Sequence, residues 1–203
     1  MPVATILLAA GASQRLGLPK QLLDFQGETL IGRALRLAEE AGAIPVVTVL
    51  GAHHEKIGAN LRTSNVFPVV NGAWAQGIAS SIHAGLRAIE SIDTADSAAV
   101  SGVLMLTCDQ PRLTANHLIG LIGLFEAQSA PTRVASSYAG IQGTPAIFPR
   151  SDFADLYALH GDQGARKLFS DTTHTLLTLP FPGGEVDIDL PGDLVHLETQ
   201  TWE

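Results

Sequence analysis

Along the chain, short runs that are almost wholly apolar alternate with longer stretches whose apolar residues recur at helical period. Val3 to Ala10 is such a run, closed by Gly11, and it predicts a buried strand. From Glu28 to Ala41 the apolar positions Leu30, Ile31, Ala34, Leu35 and Ala38 fall on one helix face, and Gly42 marks the end. Ile44 to Leu50 and Val66 to Val70 read as further strands, with a short helix between them over His53 to Leu61. A helix then runs from the glycine-punctuated stretch Asn71–Gly77 to about Ile92, and Val103 to Leu106 is another apolar strand. Beyond it the pattern predicts a helix from Thr114 and a strand over Arg133 to Ser137. Thr144 to Pro149 carries prolines that suit an edge or irregular strand, and Asp162 stands where it would cap a further helix. Strand and helix in turn predict an α/β fold: a single three-layer, Rossmann-like domain over residues 1–203, its sheet mostly parallel and its ligands at the carboxyl ends of the strands.

The break after the first strand carries the densest chemistry. Gly11, Ser13, Arg15, Gly17 and Lys20 follow Leu8-Ala9-Ala10 within a few residues. Glycines let backbone N–H groups turn toward an anion, and the arginine and lysine supply positive charge, so the stretch reads as a phosphate cradle. It is not a Walker A loop: that motif has about four residues between its glycines and places its lysine directly after the second, whereas here Lys20 follows Pro19. Nor is it a dinucleotide fingerprint, because Ala12 and Ser13 replace the Gly-x-Gly pair and no acidic residue ends the next strand near Leu50.

Composition narrows the function classes. The 203 residues carry 20 Asp plus Glu against 12 Lys plus Arg, a net charge of -8, which opposes broad nucleic-acid binding. Against that background, two basic residues in one loop mark a local site for an anion. A lone cysteine excludes an internal disulfide framework, no apolar run reaches the roughly 18 residues of a membrane span, and no N-terminal signal pattern is present; a cytoplasmic protein without a membrane partner is expected.

Further candidates lie downstream. Gly77, Ser80 and Ser81 stand at a helix start, where serines either cap the helix or, with free N–H groups, receive an anionic or hydroxylated ligand. Asp109 follows the strand ending near Leu106 and is a hard oxygen donor suited to Mg²⁺. Cys108 beside it reads as a small buried hydrophobe, not a nucleophile. His53, His54, His83, His117, His160, His174 and His196 show no metal-ligand spacing, so zinc is not indicated. Asp187 and Asp189 are two apart and share a face if extended.

The first loop resembles the Leu-Ala-Ala-Gly-x-Ser-x-Arg-x-Gly-x-x-Lys signature of the MobA-like nucleotidyltransferases. Cys108-Asp109-Gln110-Pro111 is similar to that family's Asp-x-Pro motif, Gly161-Asp162-Gln163-Gly164-Ala165-Arg166 to a string of its cytidylyltransferases, and Asp187-Ile188-Asp189-Leu190-Pro191 to its Asp-Ile-Asp-Thr-Pro ending, with Leu190 in place of threonine. Ile78 stands where the family has methionine in its Gly-Met-x-x-Ser stretch. The resemblance implies a nucleotidyltransferase that moves CMP from CTP to the terminal phosphate of the molybdopterin-type molybdenum cofactor. Leu8, Ala9, Ala10, Gly11, Ala12, Ser13, Arg15, Lys20, Gly77, Ser80 and Ser81 would bind the nucleotide, Arg15, Lys20 and Asp109 would be catalytic, and Asp109 and Asp189 would hold Mg²⁺. Ala10, where the GTP-using form of the loop has glycine, implies CTP over GTP, and a molybdoenzyme or its maturation chaperone is the implied recipient. Two alternatives stand beside it: a cytidylyltransferase for a sugar or polyol phosphate, and a nucleotide-binding maturation factor that does not turn over.

Overall fold

The computed structural model describes residues 2–61, 65–93, 99–172, 174–188 and 193. The strands are β1 (Val3–Ala9), β2 (Asp24–Phe25), β3 (Glu28–Thr29), β4 (Val46–Leu50), β5 (Val66–Val70), β6 (Gly102–Thr107), β7 (Thr132–Tyr138), β8 (Ile141–Pro149) and β9 (Thr175–Pro180). The helices are α1 (Leu30–Glu40), α2 (His54–Gly58), α3 (Ile78–Asp93), α4 (Ala115–Glu126) and α5 (Phe153–Tyr157). Seven strands form one sheet in the order β5-β4-β1-β6-β8-β7-β9, with β2 and β3 as a separate hairpin. The pairs β5–β4, β4–β1, β1–β6 and β7–β9 are parallel; only β8 runs against its neighbours β6 and β7.

Because both faces of the sheet are covered, central strands are apolar throughout instead of alternating. In β1, Val3, Leu7 and Ala9 pack into one core with α1 and α4, while Ala4 and Ile6 face a second core built on α3. Gly85 lets α3 approach: a Cβ there would fall 2.6 Å from Ile6 Cγ2. The predicted α1 boundaries have local causes. Thr29 Oγ1 accepts from Gly32 N–H, and Gly42, at φ +72°, lets the Ala43 N–H return to the Ala38 carbonyl.

Two expectations are corrected. The Thr144–Pro149 strand is irregular but lies inside the sheet, between β6 and β7. Pairing jumps from Ala135↔Ala146 to Ser136↔Gly143, which leaves Pro145 in the bulge where its missing N–H costs no ladder bond. Asp162 caps no helix: a 3-10 turn starts only at Ala165, with Gly164 as its cap residue and no side-chain capping bond. No helix among the described residues is long and apolar enough to cross a membrane.

Candidate active site

The loops that follow β1, β5 and β6 all leave the same end of the sheet, and they enclose a cleft of about 390 Å³. Of the residues singled out in the sequence, Leu8, Ala9, Ala10, Gly11, Lys20, Gly77, Ser81 and Asp109 line it. Ala12, Ser13, Arg15 and Ser80 do not form its wall; Arg15 is exposed on the loop. Asp189 lies outside the described residues.

The cradle owes its shape to more than glycine. Gly17 does adopt the left-handed conformation, φ +72°, but so does Ser13, at φ 51°. The Ser13 carbonyl accepts from the Leu16 and Gly17 N–H groups and its hydroxyl accepts from the Lys20 N–H at 3.2 Å, so one residue gathers the loop around itself. Gly11 does not need positive φ. A Cβ on it would meet nothing within 4 Å, which leaves its face of the cleft open. Gln21 is buried, and its Nε2 donates to the carbonyls of Ala9 and Gly11, joining the end of β1 to the loop. Its place directly after Lys20 was the only sequence signal for that role.

Lys20 Nζ reaches across the cleft to Asp109 Oδ2 at 2.6 Å, with the two side chains 20% and 19% exposed. The Asp109 backbone carbonyl in turn accepts from the Ile188 N–H at 3.0 Å, which ties the C-terminal segment to the main chain at this residue. Cys108 is buried, and burial, reinforced by the Asp109 charge, pushes its thiol up to about 12. It stays protonated at neutral pH and is no nucleophile.

At the start of α3, part of the expected anion site is already satisfied within the chain. The Ala79 N–H donates to the Gly161 carbonyl and the Ser80 N–H to that of Gly77. The Ser80 hydroxyl donates within its own turn and accepts from Asn71 Nδ2, which also reaches Ser81 Oγ at 3.0 Å. Asn71 therefore holds both serines, a role its place in a turn did not disclose. Gly77, at φ +108°, is required by contact: a Cβ would lie 2.3 Å from the Gly161 carbonyl carbon. That contact sets Asp162 on the cleft wall, where Trp74 also stands.

Away from the cleft, β7 buries Arg133 against Asp152, Nε to Oδ2 2.6 Å, and the Leu168 carbonyl also accepts from it. Asp155, Asp171 and His174 surround the same guanidinium. Asp152, Asp155 and His174 are close enough to share an ion, a grouping that spacing did not reveal, but Arg133 is the cation they enclose.

Residues 5–176 match the profile of the MobA-like NTP transferase domain. The purine catabolism protein PucB of Bacillus subtilis (strain 168) is 31% identical over 175 residues, 80% of this chain and 78% of its own. The nicotine blue oxidoreductase of Paenarthrobacter nicotinovorans is 32% identical over 149 residues, 73% and 67% of the two chains. The crystal structure of Rv0371c from Mycobacterium tuberculosis H37Rv, 28% identical, superposes with a TM-score of 0.81 over 98% of this chain and 99% of that one. The structure of its manganese complex, at 26% identity, gives 0.76 over 98% and 100%. With the profile spanning most of the chain, a relative matched across more than two thirds of both lengths, and a solved structure superposing over nearly the whole of both chains, the chain belongs to the MobA-like NTP transferase family and is a nucleotidyltransferase of it.

Proposed function

We propose that the protein transfers CMP from CTP to the terminal phosphate of the molybdopterin-type molybdenum cofactor. An oxygen of that phosphate attacks the α-phosphorus, a new P–O bond forms, the bridging bond to the β-phosphate breaks, and pyrophosphate leaves with its electron pair. Such a reaction asks for positioning and charge neutralisation in place of covalent chemistry, and the side chains on hand are of that kind. The observation that carries the reading is the Lys20–Asp109 pair, 2.6 Å apart on the wall that Leu8 to Gly11 also form.

Asp109, with Asp189 of the C-terminal segment, would hold Mg²⁺, which when bound neutralises charge at the α-phosphate. The fit is supported by Asp109 already accommodating a cation, the Lys20 ammonium, and by the manganese complex of Rv0371c. Lys20 moves to the phosphates as the nucleotide enters, and Arg15, on the exposed side of the loop, closes on the leaving pyrophosphate. Gly11 leaves room for a phosphate where any side chain would intrude. Gly77 and Ser81 face the nucleoside, and the Ala10 methyl narrows the space beside it in favour of a pyrimidine.

Pyrophosphate release, measured with each of the four nucleoside triphosphates with and without cofactor, tests the reading. Release from CTP that depends on the cofactor is expected. Release with a polyol phosphate but not with molybdopterin would move the protein to the sugar and polyol cytidylyltransferases. CTP binding without any release would make it a maturation factor.

A further inference from the structure

Each of the two side chains that meet across the cleft is followed directly in the chain by a glutamine: Lys20 by Gln21 and Asp109 by Gln110. Both glutamines are buried, at 1% and 6% exposure. Gln21 Nε2 donates to the carbonyls of Ala9 at 2.9 Å and Gly11 at 3.0 Å. Gln110 Nε2 donates to those of Thr144 at 3.1 Å and Gly184 at 2.9 Å. A carbonyl oxygen only accepts, so the partners themselves fix which end of each amide is nitrogen.

In both residues Oε1 is buried without a hydrogen-bond partner among the described residues. A buried acceptor left idle costs stability, and an apolar side chain of the same length would avoid that cost. What the apolar side chain lacks is the NH₂ group, whose two diverging N–H bonds join two carbonyls at once. A hydroxyl has one such bond, and an ammonium brings a charge. The donors are what these two positions use.

The carbonyls so joined belong to separate parts of the chain. Gln21 closes the cradle loop onto the end of β1. Gln110 joins the turn after β6 to the bulge of β8 and to the C-terminal segment. That segment is closely seated: a Cβ on Gly184 would fall 2.4 Å from Phe181 and 2.5 Å from Tyr138, and the Ile188 N–H is held by the Asp109 carbonyl. The main chain is thus fastened one residue beyond Lys20 and one residue beyond Asp109, on opposite walls of one cleft.

We propose that Gln21 and Gln110 are paired positioning residues, the first setting the reach of Lys20 and the second the place of the Asp109 carboxylate. The inference rests on the reading of Lys20 as a phosphate group's partner and of Asp109 as a metal ligand, and extends it to side chains that act through the backbone. It has a signature that loosening of the fold lacks. Lys20 and a metal ion compete for Asp109, so freeing the carboxylate from its place weakens metal binding, whereas freeing the lysine removes a competitor and strengthens it.

The test is a calorimetric titration of Mn²⁺ into the full chain without nucleotide. Gln110→Met should weaken binding about tenfold, the usual loss when the support of a metal ligand is removed. Gln21→Met should strengthen it by a few-fold, in the direction of Lys20→Met. Asparagine at either position keeps the amide and shortens its reach by one methylene, so it should give the same sign at smaller size; thermal melting shows which variants are folded, and the asparagine pair carries the test where a methionine variant is not. Shifts of the same sign at both positions overturn the proposal. So do unchanged affinities at both while Asp109→Asn loses the ion, a result that leaves the nucleotidyl-transfer reading standing. If Asp109→Asn binds Mn²⁺ as before, the metal role of Asp109 fails and the pairing of the glutamines fails with it.

Discussion

Lys20 Nζ lies 2.6 Å from Asp109 Oδ2, so the carboxylate proposed to hold Mg²⁺ has a cation against it before any ligand arrives. Two cations compete for one oxygen. Metal should therefore bind the free protein weakly and enter together with the nucleotide, whose phosphates draw Lys20 away. In Lys20→Met the free protein should bind Mn²⁺ about tenfold more tightly in a calorimetric titration, while turnover of CTP falls by roughly 10²–10³. Stability should change by less than about 1 kcal/mol, since a pair that solvent still reaches contributes little. Unchanged Mn²⁺ affinity would show that Lys20 is no competitor.

Asp109→Asn keeps the shape of the side chain and removes its charge. Loss of Mg²⁺-dependent pyrophosphate release by roughly 10²-fold or more is expected, without recovery at high Mg²⁺. Activity restored simply by raising Mg²⁺ would leave Asp109 as one weak ligand among several.

Ala10 is 6% exposed and lines the cleft, so its methyl belongs both to a core and to the ligand space. Ala10→Gly should cost about 0.8 kcal/mol of stability for the lost group and lower the CTP-over-GTP ratio of kcat/KM by roughly tenfold, the weight of one methyl in a fitted pocket. A ratio that does not move would place base selection on Trp74 or Asp162 instead.

Elements with a strong period and a marked end were legible in the linear chain. The central strands are covered on both faces and so carry unbroken apolar runs, and α1 shows its one apolar face and its terminating glycine, though its cap, Thr29, emerged only in the structure. β9 was not foreseen: it is an edge strand with an exposed and half-buried mixture that has no clear alternation. Along the site, residues whose role is their own chemistry, Lys20 and Asp109, announced themselves by type and position. Residues that act by holding others did not. Gln21 joins strand to loop and Asn71 holds two serines, and both depend on partners brought near only by the fold. Asp162 was misread for the same reason, because a cap and a wall residue look alike until Gly77 is seen against Gly161.

Arg133 and Asp152 are 1% and 0% exposed, and their pairing fastens β7 to the turn that carries Arg166. Arg133→Met strands the buried carboxylate and should cost about 3–5 kcal/mol in chemical denaturation, lowering Tm by about 10 °C for a domain of this size. Replacing both partners, Arg133→Met with Asp152→Leu, should recover much of that loss, because no charge is then left buried alone. A double variant no more stable than the single one would mean that the wider group, Asp155, Asp171 and His174, depends on the guanidinium itself.

His117 supplies a pH dependence of known sign. Ser136 Oγ donates to the Pro145 carbonyl at 2.7 Å, so toward His117 Nε2, 2.8 Å away, it can only accept, and the imidazole is the neutral Nε2–H form. The ring stacks on Phe181, centroids 4.5 Å apart, and burial holds its pKa below the ordinary 6.5. The unfolded chain therefore takes up this proton more readily than the folded one. The contribution to stability is fully present above the ordinary value and is lost as pH falls through the folded one. Melting temperature should drop as the pH is lowered from about 7.5 toward 5, and the drop should be shallower in His117→Gln, whose amide can still donate to Ser136. Parallel profiles for the two proteins would assign the acid sensitivity to other groups.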